Sequence, residues 1–240
     1  LGFTGLIGGT MLGLAARLGR FCTLGAIEDM LYAGSSLRLR MWGIAVGVAV
    51  IGSFALMQAG MLDAPQAVYF QAGWVPWASV IGGLVFGYGM ALAGNCGFGA
   101  LARLGGGDLR SFVIVLVMGL AAYVAISGPL ASLRLMLFPV RPLDPGETVP
   151  GLAHLAERLT GLPAPLIGMS VGVVILGAMF TSPEMRRDAR KIFWSVIAGL
   201  AIVVGWAGTN WIAQTGFAPI PVESHTYSAP LGDSILYLMT

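Results

Sequence analysis

The sequence is poor in charged residues, cysteine and histidine, and each shortage excludes a class of protein. Only 10% of the 240 residues are charged, whereas a soluble domain carries about 25% because its surface faces water. Two cysteines are too few for a disulfide framework. The two histidines, His154 and His225, fall in different predicted loops, so we expect no metal site. A net charge of +2 is too small to indicate a nucleic-acid partner.

Long uncharged stretches indicate a membrane protein. Hydrophobic residues make up 57% of the chain, and several stretches without charge reach the roughly 20 residues that a helix needs to cross a lipid bilayer. Among them are Met41–Leu62, Ser111–Leu133, Leu162–Ser182 and Ile192–Val222. We predict an all-α integral membrane protein with a single transmembrane domain over residues 1–240. The chain starts at Leu1 without a basic segment, so its first hydrophobic stretch is not read as a cleavable signal.

The positions of the basic residues predict the topology of the chain. Short loops rich in arginine and lysine stay on the cytoplasmic side, which predicts cytoplasmic loops at 35–40, 103–110 and 183–191. Residues 134–162 carry both signs of charge and four prolines, and they read as an external loop that contains a short amphipathic helix near Leu152–Leu159. The indole rings of Trp74 and Trp77 are expected at the external interface.

The chain also contains an internal repeat, which matches both of its cysteines. At an offset of 74 residues, Ile7-Gly8-Gly9 recurs as Ile81-Gly82-Gly83, and Cys22 matches Cys96. We predict parallel repeats at 5–62 and 78–133, a degenerate third helix pair at 163–215 and a C-terminal segment at 216–240. Each repeat reads as an inward-running segment with a central cysteine, followed by a basic turn and an outward transmembrane helix.

The inward-running segment of each repeat is predicted to be a broken helix. The 30 residues from Gly5 to Gly34 would form a helix of about 45 Å, which is longer than a membrane core of about 30 Å. Glycines on both sides of each cysteine weaken the helix there. We therefore predict two half-helices that meet near Cys22 and two that meet near Cys96. Such a break is tolerated only inside protein or beside a watery cavity.

A helix that begins within the membrane is a ready site for an anion. Its first backbone N–H groups lack intrahelical partners and carry partial positive charge. The thiols of Cys22 and Cys96 add a soft group with a weak S–H donor, and Arg20 lies two residues before the first of them. This mixture suits an anion that exposes a sulfur atom, because sulfate would have little use for a thiol.

Plainer interpretations remain open for each of these features. A cysteine in a membrane helix is often only a small packing residue, and glycines four apart often form helix contacts. The side chains of Arg17 and Arg20 could simply reach toward the interface. Glu28 and Asp29 could lie at the cytoplasmic turn and pair with one of two groups that follow it, Arg38 or Arg40.

Two cysteine-containing segments resemble a known family. Arg20–Ala26 and Gly94–Leu104 resemble the cysteine motifs of the YeeE/YedE family of sulfur-compound transporters, and Glu223–Leu231 resembles its segment before the last repeat. The resemblance implies uptake of thiosulfate or a related sulfur anion across a bacterial inner membrane, with the ion passed between cysteine thiols. By the motif, the pathway would comprise eight residues, namely Arg20, Cys22, Thr23, Gly25, Asn95, Cys96, Gly97 and Gly99.

Members of that family usually run further and carry another cysteine motif, so we expect this chain to be either a piece of a longer protein or a shortened member. The first alternative function is an accessory membrane subunit or sulfur sensor that conducts nothing and docks on a cytoplasmic sulfur-carrier protein or a larger membrane complex. The second is a redox enzyme that uses the two cysteines as a pair. No cofactor motif is present, so we expect neither a cofactor nor an enzyme.

Overall fold

A computed structural model describes residues 2–70, 73–139, 151–217 and 220–239. Its helices are α1 (Gly2–Leu18), α2 (Thr23–Tyr32), α3 (Leu37–Gln58), α4 (Pro76–Ala93), α5 (Gly97–Leu104), α6 (Leu109–Ile126), α7 (Leu130–Leu137), α8 (Leu152–Thr160), α9 (Ala164–Met179), α10 (Pro183–Arg187), α11 (Ala189–Thr215) and α12 (Ser228–Met239). Short 3-10 turns lie at Ala64–Gln66 and Val68–Phe70. The described residues form no strand longer than an isolated bridge between Ala67 and Val222. The predicted all-α class is confirmed.

Four of the described helices, α3, α4, α6 and α11, are long and apolar enough to cross a membrane. Helices α8 and α9 meet at a bend of 117° and would make a fifth span if they are counted together. Large apolar side chains such as Leu84 and Val174 are about 70% exposed, as expected of a surface that faces lipid tails. The chain is a multi-pass membrane protein.

Two predicted spans differ from the helices at their ends. The stretch predicted to reach Leu133 is helical only to Ile126, because Gly128 and Pro129 interrupt it before α7. The stretch 162–182 contains α9, which is shorter than predicted because Pro163 precedes its first residue. The amphipathic helix predicted near Leu152–Leu159 is confirmed as α8. Three of the four prolines of that loop, Pro142, Pro145 and Pro150, lie outside the described residues.

The chain divides into two compact units. The first comprises Leu1–Gly73 and Pro142–His225 and contains α1–α3 and α8–α11. Within it, α3 and α9 touch through glycines, since a Cβ added to Gly47 would lie 3.2 Å from the carbonyl oxygen of Gly172. Small residues at such contacts let membrane helices approach closely.

The second unit comprises Trp74–Arg141 and Thr226–Thr240, with α4–α7 and α12. Helix α12 packs on α6 through glycines of both helices. A Cβ on Gly119 of α6 would lie 2.6 Å from Cδ1 of Ile235, and one on Gly232 of α12 would lie 3.0 Å from the backbone nitrogen of Tyr123. These close contacts fix the start of α12 relative to α6.

Basic residues of the predicted cytoplasmic loops bind the carbonyl ends of helices in the first unit. Arg190 donates to the carbonyl oxygen of Leu18, the last residue of α1, at 2.9 Å. Arg40 donates to the carbonyl oxygens of Ala178 and Met179 at the end of α9, at 3.0 Å each. Cations at helix C-termini complement the helix dipole and satisfy unpaired carbonyls. These arginines therefore stabilise helix ends, while the sidedness of their loops remains a prediction.

Candidate functional site

The chain between α1 and α2 is not helical, and Cys22 lies at the junction. Helix α1 ends at Leu18, and Cys22 takes the N-cap position of α2 with extended backbone angles. Arg20 has a φ of +54°, the one positive φ at a non-glycine residue in the described part of the chain. Such a conformation is uncommon for a residue with a side chain. The Cys22 thiol is half-buried and free of any disulfide.

The guanidinium of Arg38, from α3, lies against the first turn of α2. A Cβ on Gly25 would come within 2.5 Å of its Nη1 and 2.7 Å of its Nη2, so only glycine leaves room for it. Nη2 donates to the carbonyl oxygen of Arg20 at 3.0 Å, and Nη1 pairs with Asp29 at 3.3 Å. The pairing of Asp29 with Arg38, one of the alternatives drawn from the sequence, is confirmed. The arginine beside the helix start is thus Arg38, which sequence reasoning had read as a topology signal and a possible partner of Glu28 or Asp29.

Two buried N–H donors lie on the same face of α3. Trp42 follows Arg38 by one turn, and its ring packs on Phe21 with 4.5 Å between centroids. The Nε of Arg38 and the Nε1 of Trp42 are both buried without a hydrogen-bonding partner among the described residues. Because buried donors normally find partners, this surface beside α2 has unused capacity for an acceptor such as an anion.

The remaining predicted residues of the first site take different positions. The side chain of Arg20 is exposed, and its contact with Arg38 is made by its carbonyl oxygen. Thr23 is the first residue of α2 and is half-buried. Gly25, the third residue of α2, is buried beneath the guanidinium of Arg38. The structure therefore brings together Cys22, Gly25 and Arg38 rather than the side chain of Arg20.

Cys96 occupies the corresponding position in the second unit. Helix α4 ends at Ala93, its C-cap Gly94 has a φ of +60° that suits glycine, and Cys96 is the N-cap of α5. Its Sγ accepts a hydrogen bond from the backbone N–H of Gly99 at 3.2 Å, and the residue is only 3% exposed. A thiol therefore caps the helix where serine or aspartate is more usual.

Asn95 is buried beside Cys96 with its amide unsatisfied. The residue is 4% exposed, and neither Oδ1 nor Nδ2 has a hydrogen-bonding partner among the described residues. A Cβ on Gly99 would lie 2.5 Å from Oδ1 of Asn95 and 3.3 Å from Sγ of Cys96. The amide and the thiol therefore flank the same turn of α5. Gly97 similarly admits the thioether of Met118, because a Cβ there would lie 2.7 Å from its Sδ.

Tyr227 lies next to this turn, and its role was not predicted from the sequence. Its ring contacts that of Phe98 with 5.3 Å between centroids. Burial, and to a lesser extent the charge that Cys96 would carry as a thiolate, raise the pKa of Tyr227 to about 12. The phenol is therefore protonated at physiological pH and can donate a hydrogen bond. The signal in the sequence was the motif around Glu223–Leu231, which was noted only as part of the family resemblance.

The two sites share one construction. In each, a cysteine occupies the N-cap position of a helix whose third residue is a glycine, and a planar polar group fills the space above that glycine; only the Cys96 side chain makes a capping hydrogen bond. The group is the guanidinium of Arg38 in the first unit and the amide of Asn95 in the second. The first site therefore contains a guanidinium that is ion-paired with Asp29, whereas the second contains an uncharged amide; both have a cysteine at a helix N-terminus.

Other features of the described residues lie apart from these sites. An open cleft of about 650 Å³ is lined by Ala33–Ser36 and Ser182–Glu184, and neither cysteine is part of its lining. No group of three or more histidine, cysteine, aspartate or glutamate residues in the described ranges could hold a metal ion.

Comparison with known proteins gives consistent matches. Residues 18–240 match the family model described as sulphur transport. The thiosulfate transporter TsuA of Escherichia coli K12 is 37% identical over 130 residues, which are 54% of this chain and 34% of that protein. TsuA of Spirochaeta thermophila is 31% identical over 217 residues, 89% of this chain and 63% of that protein. The probable transporter YedE of Escherichia coli K12 is 33% identical over 95 residues, 40% of this chain and 22% of that protein. The chain thus spans less than two thirds of the length of each relative.

Proposed function

This chain belongs to the sulphur transport family, which includes YeeE and YedE, and from that membership we propose that it carries thiosulfate or a related sulfur-containing anion across the bacterial inner membrane. The observation that carries the proposal is the pair of cysteines that cap helices at breaks in apolar segments. Two relatives are named thiosulfate transporters, which supports the choice of anion.

The helix starts at Cys22 and Cys96 account for binding of the charge. The first N–H groups of α2 and α5 point toward the break, where the positive end of the helix dipole favours an anion. At Cys22, the guanidinium of Arg38, which is paired with Asp29, adds an N–H donor beside the first turn at its Nε, which is unpartnered among the described residues. An anion that leaves water at these points therefore exchanges its hydration for backbone and side-chain donors.

The thiols account for the choice of a sulfur anion over sulfate. Thiosulfate has the charge and nearly the shape of sulfate, but one of its oxygens is replaced by a terminal sulfur. A thiol is a soft, weak donor, which suits that sulfur better than it suits an oxygen. We assign Cys22 and Cys96 to successive noncovalent contacts with the moving anion. The residues that surround these contacts in the proposed pathway are Thr23, Gly25, Asn95, Gly97 and Gly99.

The orientation follows from the basic loops. We place the loops at 35–40, 103–110 and 183–191 on the cytoplasmic side, since arginine and lysine are concentrated there. Each cysteine then lies between an external half-helix and a cytoplasmic half-helix of its unit, as the two predicted repeats require.

Uptake of radiolabelled thiosulfate by cells that lack their own uptake system tests the proposal. We expect uptake with the wild-type chain, a loss in Cys22→Ala and Cys96→Ala, and little recovery in the serine variants, because a hydroxyl has the size of a thiol without its softness. Equal membrane levels of each variant serve as the control. If the wild type takes up thiosulfate and all cysteine variants do so equally well, the thiols are not part of the pathway. Absence of wild-type uptake would instead favour an accessory subunit, which copurification of a stoichiometric partner would identify.

A further inference from the structure

The first turn of α5 contains an unused hydrogen-bonding group. The amide of Asn95 is 96% buried, as its exposure of 4% implies, and it makes no hydrogen bond with the described residues. A buried amide without a hydrogen-bonding partner is unfavourable, so we expect Asn95 to find a partner when a ligand is bound. The amide lies against Gly99 together with the Cys96 sulfur, which places the missing partner at the thiol.

Tyr227 provides a second polar group at the same turn. Its ring packs on Phe98, the residue between the two glycines of α5. This ring contact places Tyr227 against the first turn of α5, the helix that has Cys96 at its N-cap. Close packing of α12 on α6 through Gly119 and Gly232 holds the chain that carries Tyr227, so the phenol is not a group on a free tail.

We propose that Tyr227 is a specificity-determining residue of the Cys96 site, where its hydroxyl donates a hydrogen bond to an oxygen of the bound sulfur oxyanion while the thiol meets the sulfur end. The assignment rests on the proposed transport function and deepens it by naming how the oxygens are recognised. The Nδ2 of Asn95 supplies the companion donor. Neutral donors of this kind bind the anion more weakly than a fully charged group would, so the anion can be released again.

The substitution Tyr227→Phe tests the assignment because it removes only the hydroxyl and keeps the ring on Phe98. A hydrogen bond to a charged group is worth about 1.5–3 kcal/mol, so we expect KM for thiosulfate uptake to rise about tenfold or more, with Vmax retained. Binding of radiolabelled thiosulfate to the purified full chain should weaken by the same factor. Tyr237→Phe is the matched control, since Tyr237 lies on α12, the helix that directly follows Tyr227, and is 82% exposed; it should leave both constants unchanged.

The outcomes separate this inference from the function on which it rests. If the wild type transports and binds thiosulfate and Tyr227→Phe does so with the same constants, the hydroxyl has no role and the inference is overturned alone. A lower Vmax with unchanged KM would also overturn it, because a packing defect reduces the number of active molecules. If the wild type neither transports nor binds thiosulfate, both the function and the inference fail.

Discussion

The contact between Gly25 and Arg38 makes the substitution Gly25→Ala a sharp test of the Cys22 site. The added Cβ would lie 2.5 Å from Nη1, 2.7 Å from Nη2 and 2.8 Å from Cζ of Arg38. Since ordinary contact distances are about 3.5–4.0 Å, the guanidinium must move away by about 1 Å. It then loses its hydrogen bond to the carbonyl oxygen of Arg20 and its pairing with Asp29, at 3.0 Å and 3.3 Å.

The effect of Gly25→Ala on folding should be small. Alanine is favoured over glycine in a helix by about 1 kcal/mol, while the lost hydrogen bond to a charged donor costs about 1.5–3 kcal/mol. The pairing with Asp29 is partly exposed to solvent, and such surface pairs contribute about 0–1 kcal/mol. Together these terms give a net destabilisation of about 0.5–3 kcal/mol, so we still expect folded protein.

Gly25→Ala should also weaken thiosulfate uptake beyond any loss of folded protein. If the guanidinium helps hold the anion beside Cys22, its displacement should raise KM for thiosulfate at least tenfold, which corresponds to about 1.4 kcal/mol. Gly13→Ala is the matched control, because Gly13 lies on α1 of the same unit and its Cβ would meet no atom within 4 Å. Equal uptake by the two alanine variants at equal membrane levels would refute a role of Arg38 in anion binding.

Two further predictions concern stability. The N-cap Asp188 accepts hydrogen bonds from the side chain and backbone of Lys191, which lower the pKa of its carboxyl group. The substitution Asp188→Ala should therefore destabilise α11 by about 1 kcal/mol. In thermal melts the wild type should be more stable than the variant at pH 7, and this difference should shrink as the pH falls below the ordinary range of aspartate. Gly172→Ala should lower the melting temperature in detergent, since its Cβ would lie 3.1 Å from the carbonyl oxygen of Gly47, whereas Gly177→Ala on the same helix meets no atom. Equal melting of both glycine variants, or a pH-independent loss in the aspartate variant, would contradict these assignments.

Local sequence signals predicted the class of the fold and the places where its helices break. Uncharged stretches identified α3, α6 and α11, three of the four described helices that are long and apolar enough to cross a membrane, and glycines around Cys22 and Cys96 marked the non-helical junctions. Both signals act within one or two helical turns, so they can be read directly from the chain. The end of α6 was placed too late because Gly128 and Pro129 lie inside an uninterrupted hydrophobic stretch.

The groups that fill the two sites could not be predicted in the same way. Arg38 reaches Gly25 from the next helix, and Tyr227 reaches the turn after Cys96 from a segment far along the chain. Such contacts depend on helix packing, which charge counts and periodicity do not describe. From the sequence alone, a basic residue that orients the protein in the membrane cannot be told from one that, like Arg38, lies against the start of a helix. Asn95 was predicted from the motif, but its buried and unpaired state required coordinates.

Transport by the purified chain in liposomes tests the central claim most directly. The wild-type protein and the variant with both Cys22→Ser and Cys96→Ser would be reconstituted at equal density, and entry of radiolabelled thiosulfate would be measured with and without excess sulfate. We predict that the wild type admits thiosulfate, that sulfate competes poorly, and that the double variant admits almost none. Thiosulfate entry at the same rate through both proteins, or equal competition by sulfate, would contradict a pathway in which thiols at helix starts select a sulfur anion.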